Sequence, residues 1–230
     1  DNYTERATNV KKIQEKFNFI KIIPAYYDME KCYRFLASHN IKINTSYWNN
    51  SKNIHEGKIG HLCTMLDFFF QLKDKNYDYG VWIEDDLIVE KSNIDFINKL
   101  IKTDFPKPMK RLLGIGTELV VVKKDQVDKL LQPFLKNNIY NPPDVIWNNL
   151  GLVENTPNKV KRMDEKLSSQ KSTILTSKLL KISDVNKKIE NYQKENFTNL
   201  PHQAFYMWGM KPDESKPCPM QNIEKNNKYL

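Results

Sequence analysis

The sequence predicts an α/β domain, a largely parallel sheet flanked by helices, on two observations. Strand-like apolar runs alternate with helix-period segments through residues 1–155, and 230 residues with 40% hydrophobic and 11% aromatic side chains suffice for a substantial core. Each element follows from its spacing. Val10, Ile13 and Phe17 share one face of a helix over 6–17, and 19–25 reads as a strand ended by Pro24. A short helix is predicted at 31–38, and the Asn- and Ser-rich 47–57 is a loop. Over 58–72, Ile59, Leu62, Cys63, Leu66, Phe69 and Phe70 recur at helical intervals behind Gly57 at the cap. An apolar strand follows, then a helix at 93–101 ending near Pro106 and Pro108, a strand at 112–122, and a helix at 125–135 with Val127, Leu130 and Leu131 inward. Beyond Asn155 the texture turns polar, with a helix at 183–195 and an aromatic tail from Pro201 holding Phe205, Tyr206 and Trp208. The expected division is a core over 1–155 and a partly helical C-terminal appendage over 156–230 that packs on it.

Composition narrows the function classes. The longest apolar runs fall far short of the roughly 20 residues that cross a bilayer, so no transmembrane segment is expected. The chain starts at Asp1 without a methionine, which leaves room for an upstream segment. A net charge of +8 suggests affinity for anions, and a solvated lysine-rich surface is an equal reading. Cys32, Cys63 and Cys218 form no C-x-x-C pair, so neither a disulfide framework nor a zinc site is signalled, and a reducing, cytoplasmic setting is mildly preferred. Sequons at Asn2, Asn44, Asn49 and Asn196 leave a secretory lumen open, although an asparagine-rich chain yields them by chance.

The informative run is Asp78-Tyr-Gly-Val-Trp-Ile-Glu-Asp-Asp-Leu-Ile-Val-Glu90. Carboxylates within an apolar strand are costly to bury unless paired, protonated or bound to a metal. Strand alternation sends Glu84 and Asp86 to one face and Asp85 to the other. Ligands of open α/β sheets bind at the C-terminal strand ends, and oxygen ligands there suit Mn2+ or Mg2+, which holds phosphates and neutralises a diphosphate leaving group. The bland alternative is an exposed strand end. Apolar Val81, Trp82 and Ile83 before the triplet and Leu87, Ile88 and Val89 after it argue against a simple loop.

Several short motifs, in order, resemble the lipopolysaccharide-type glycosyltransferases of family 25, which include bacterial lipooligosaccharide and collagen galactosyltransferases. Glu5-Arg6 with the following helix and strand resembles the family's opening, and Gly57-Lys-Ile-Gly60 its G-E-I/V-G helix start. Val81-Trp-Ile-Glu-Asp-Asp-Leu-Ile-Val89 matches the central L-x-L-E-D-D-I/V-x-L/V strand, a D-x-D-like metal and sugar-nucleotide site. Gly116-Thr117 with Val120 to Lys123 resembles the G-T-x-G/A-Y-L-I/V-S-K/R segment, Pro143-Asp144 the P-I/V-D, and Ser172-Thr-Ile174 the closing S-x-I. Lys58 stands where the family has glutamate, Thr64-Met65 where it often has S-H, and Glu118-Leu119 in place of a small-aromatic pair. The family's first strand would precede Asp1.

The resemblance implies a GT-A-like, Rossmann-type mixed sheet, mainly parallel, and a metal-dependent hexosyltransferase. The donor would be a nucleotide-diphosphate sugar, UDP-galactose or UDP-glucose, and the acceptor a hydroxyl of a glycan, lipid or protein. Glu84 and Asp86 would hold Mn2+ or Mg2+, and Asp85, Arg6, Gly116 and Thr117 would contact the donor. Asp144, in a rigid two-proline loop, is the candidate base if the reaction inverts the anomeric carbon, and a helix-capping aspartate is the equal alternative. His202 is a candidate last metal ligand, as a late histidine is in many GT-A enzymes, against the commoner structural role. Tyr26, Tyr27, Tyr47 and Trp48 flank loops that suit stacking on a base or sugar, although most aromatics are core. His55-Glu56 and His61 are no zinc-protease motif, because the histidines lie six apart instead of four. The rival from another class is a catalytically inactive scaffold that binds nucleic acid or another polyanion through its basic face. The intact acidic triplet argues against it.

Overall fold

A computed structural model describes residues 2–16, 26, 28–44, 52–85, 87–112, 118–136, 139, 141–156, 161–162 and 177–207, with backbone alone at 2–6, 161–162 and 196–207. In chain order the elements are α1 (Asn2–Lys16), α2 (Met29–Ser38), β1 (Asn53–His55), α3 (Glu56–Asp74), β2 (Tyr79–Ile83), β3 (Leu87–Ile88), α4 (Lys91–Thr103), β4 (Met109–Arg111), β5 (Leu119–Lys123), α5 (Val127–Lys136), α6 (Pro143–Asn149), β6 (Val153–Asn155), β7 (Lys161–Arg162), β8 (Leu179–Lys181) and α7 (Ile182–Met207). The class is mixed α/β, as the alternation predicts. Among the described helices none is long and apolar enough to cross a membrane.

The central sheet has the order β2-β5-β4-β6. Here the expectation of a mainly parallel sheet needs correction, because β5 runs antiparallel to both β2 and β4, and only β4 and β6 pair in parallel. The cause is the connection 112–118 between β4 and β5. It is too short for a parallel crossover, which takes roughly a dozen residues or more. Two short antiparallel pairs, β1 with β8 and β3 with β7, lie outside this sheet. The strand expected at 19–25 lies outside the described residues.

Alternation along β5 divides the core into two. Val120 and Val122 face a cluster with Met109, Leu62, Leu66 and Phe69 of α3, Leu130 and Phe134 of α5, and Trp147 of α6. Leu119 and Val121 face the other way, onto Ile13 of α1, Ile97 and Leu100 of α4, and Leu87 and Val89. Helices therefore cover both faces, as a sheet apolar on both sides requires.

Local chemistry sets the helix starts. Asp28 caps α2 by accepting from the Glu30 N–H at 2.9 Å. Glu90 and Asn93 form a reciprocal capping box on α4. Pro143 at the first turn of α6 supplies a helical φ and lacks only an N–H that would be unbonded there. In α3, Gly60 is required by close approach, since a Cβ there would meet the Tyr26 carbonyl oxygen at 2.2 Å. Thr64 Oγ1 completes this junction, accepting from the Tyr26 N–H at 2.9 Å and donating to the Gly60 carbonyl at 2.7 Å. Cys32 and Cys63 are buried free thiols.

Candidate functional site

The directions of the strands gather chemistry at one edge of the sheet. β2, β4 and β6 all end there and β5 begins there. The apolar run expected as one strand breaks at this edge: β2 stops at Ile83, Leu87 N–H donates to the Glu84 carbonyl at 3.4 Å, and β3 starts at Leu87. The run turns apolar again because Leu87 and Val89 fill the core cluster against α4, as a separate short strand.

Glu84 extends the β2–β5 register by one step, its N–H donating to the Glu118 carbonyl at 2.8 Å. Trp82, two residues earlier on the same face, packs edge-on against Phe68 at 5.6 Å and His61 at 6.0 Å, both from α3. His61 Nε2 lies 3.1 Å from Glu84 Oε1. The sequence had marked His61 only to dismiss a protease motif. Its actual partner is the first carboxylate of the triplet, reached because α3 runs antiparallel along β2, with Leu72 and Phe68 against Gly80, Phe68 against Trp82 and His61 at the strand's end. Glu118, 8% exposed, is the cross-strand neighbour of Glu84. Two carboxylates opposite each other in a ladder repel, so this corner favours positive charge.

Helix α1 fixes the acidic turn from the other side. The Asn9 amide donates through Nδ2 to the carbonyls of both Asp85 and Leu87, each at 2.8 Å, and Lys16 Nζ donates to the Val89 carbonyl. Both protons of the amide are thereby used. The sequence contains no local signal for this contact.

Arg111, the last residue of β4, is 1% exposed. Its Nε and Nη2 have no hydrogen-bond partner, and neither has the buried indole Nε1 of Trp82. Burial pulls the Arg111 pKa below its ordinary value, and the negative charge of Asp144 acts against that pull. Asp144 is half-buried in the first turn of α6, where the helix dipole favours a carboxylate. Arg111 was also missed by the sequence reading. Its only signal was a lone arginine just ahead of the apolar run 112–122.

The structure therefore brings Glu84 and Asp85 to the sheet edge and sets Asp144 within electrostatic reach of Arg111. Asp86, Gly116 and Thr117 lie outside the described residues. Arg6 and His202 are described as backbone only, in α1 and α7. Among the described residues no three His, Cys, Asp or Glu side chains converge on a metal position. The carboxylates at the corner are oxygen donors, the type that suits Mn2+ or Mg2+. Compared with known proteins, the chain matches no protein-family model and no curated protein.

Proposed function

We propose that the chain is a metal-dependent glycosyltransferase of the family 25 type, transferring a hexose, galactose or glucose, from a UDP-sugar to a hydroxyl of a glycan, lipid or protein. The observation that carries this reading is the set of carboxylates Glu84, Asp85 and Glu118 at the edge where β2, β4 and β6 end. A GT-A-like sheet is part of the proposal. The co-directional run of β2, β4 and β6 around one opposed strand supports it.

In this reading Glu84 and Asp86 would hold Mn2+ or Mg2+, and the chemistry such an ion would supply is neutralisation of the charge on a diphosphate leaving group. His61 fixes the Glu84 carboxylate by its contact at 3.1 Å. Asp85 orients the ribose or the sugar, with its backbone held by Asn9. Asp144 accepts the proton of the acceptor hydroxyl as its oxygen bonds to the anomeric carbon and the bond to the diphosphate breaks.

The test is isothermal titration with a panel of nucleotide-diphosphate sugars, with and without Mn2+, on the wild type and a Glu84→Gln variant. Gln keeps the shape and removes the charge, so metal-dependent donor binding is expected to weaken at least about tenfold, the equivalent of one lost charged interaction. A folded wild-type chain that binds no donor in the presence of Mn2+ overturns the proposal.

A further inference from the structure

Buried N–H groups without acceptors are rare in native proteins, and each one calls for an explanation. Here they are concentrated. Trp82 and Arg111 both stand opposite Val120, one on each neighbouring strand, and their buried Nε1, Nε and Nη2 all lack partners. All of these are donors, and the buried oxygens without partners, Glu118 Oε2 and Glu154 Oε2, bond to none of them, so what would satisfy the donors is an acceptor from outside. Nε and Nη2, moreover, are the two nitrogens whose N–H bonds run parallel along one edge of the guanidinium, the geometry that takes two oxygens of a carboxylate or phosphate at once.

A purely structural account would have Arg111 paired with Asp144. Asp144 lies close enough for its charge to act on the arginine, yet that edge of the guanidinium remains without acceptors. An arginine that is 1% exposed and bonded on neither of these nitrogens is a poor structural element. As an anion clamp the same arrangement makes sense.

We propose that Arg111 binds an oxyanion, a carboxylate or phosphate, through Nε and Nη2, with the indole N–H of Trp82 as the next donor on the same face. Two ligands could bring that group: an acidic acceptor, or the phosphates of the donor. Arg111 lies within the electrostatic reach of Asp144, the candidate base, which favours the acceptor. Assignment to the acceptor rests on the transferase reading. The anion binding does not.

The experiment is a titration of the full chain with inorganic phosphate and with glucuronate in metal-free buffer, followed by thermal denaturation and calorimetry. The wild type is expected to be stabilised by at least one of the two, and Arg111→Met to lose the effect. Arg111→Lys keeps the charge without the two-pronged geometry and is expected to bind at least tenfold more weakly. Trp82→Phe keeps the ring packing on Phe68 and removes one donor, which gives a smaller loss and an independent readout if the Arg111 variants fold poorly. Repeating the titration in saturating UDP and Mn2+ separates the sources: additive binding assigns the oxyanion to the acceptor, and competition assigns it to the donor. No binding by the wild type, or equal binding by wild type and folded Arg111 variants, overturns the proposal. Because the readout needs no metal and no transfer, it can succeed where donor binding fails, and the reverse.

Discussion

His39, at the end of α2, lies flat on Phe70 with ring centroids 4.0 Å apart and planes 10° from parallel, and Phe35 meets it edge-on at 4.8 Å. Burial among these rings disfavours the imidazolium and pulls the pKa from 6.5 to about 4. Between those values the unfolded chain binds the proton and the folded chain does not, so stability is full above the unfolded value and falls as the pH drops toward 4. From pH 7 to pH 5 this histidine alone is expected to remove about 2 kcal/mol. Urea denaturation at the two pH values, beside a His39→Phe variant that keeps the stacking, measures it. The same pH dependence in both proteins would show that the loss comes from other groups. At this scale legibility depends on whether a residue is unusual in its own sequence setting. Glu84 and Asp85 stand out within an apolar run, and Asp144 follows two prolines. His61, Asn9 and Arg111 do not, because their roles come from partners far along the chain: His61 meets Glu84 across 23 positions, and Asn9 meets Asp85 across 76.

Helical spacing found α2, α4 and α5, where buried positions recur on one face, and α3, whose apolar positions keep helical intervals although the helix is buried on nearly every side from Ile59 to Phe69. The strands were harder to read. β1 is three residues long in a polar stretch and exists through its pairing with β8, and the break at Glu84 depends on what the two halves of the apolar run pack against. The clearest consequence at this scale concerns α1 and the acidic turn. One side chain, Asn9, satisfies the carbonyls of Asp85 and Leu87, so Asn9→Ala leaves two partly buried acceptors to find water. At about 1 kcal/mol for each hydrogen bond lost, the variant is expected to be destabilised by about 2 kcal/mol. Asn9→Asp is expected to be worse at neutral pH, because a carboxylate would face two carbonyl oxygens and donate to neither. Urea midpoints of the three proteins give the order wild type, Ala, Asp. A midpoint for Asn9→Asp equal to that of the wild type would mean that α1 does not hold the turn.

Across the whole molecule, alternation in the sequence conveyed the layers but not the direction of β5, which is set by the short connection 112–118. Nor did it convey where the last helix goes. Ile182, Val185 and Ile189 have helical spacing, and in the structure all are at most 1% exposed within the cluster that holds Phe35, Leu36 and Trp147. Asn186 accepts from the Ile43 N–H at 3.0 Å and donates to the Ile43 carbonyl, Lys42 pairs with Glu190 at 2.9 Å, and Lys188 with Glu30 at 2.7 Å. The ion pairs are exposed and contribute little. The apolar contacts and the two-way amide bond dominate. If α7 shares one cooperative core with the sheet, emptying its buried face must weaken residues far from it in sequence. Trp147, buried against Phe69 and Phe134 with its N–H on the Leu130 carbonyl at 2.9 Å, is the reporter once Trp48, Trp82 and Trp208 are replaced by Phe and its fluorescence stands alone. Ile189→Ala removes a fully buried side chain and is expected to cost about 2–5 kcal/mol. The urea transition followed by tryptophan fluorescence should move to lower denaturant together with the helical circular dichroism signal. Were α7 an independent unit, the dichroism would lose amplitude early while the fluorescence midpoint stayed in place.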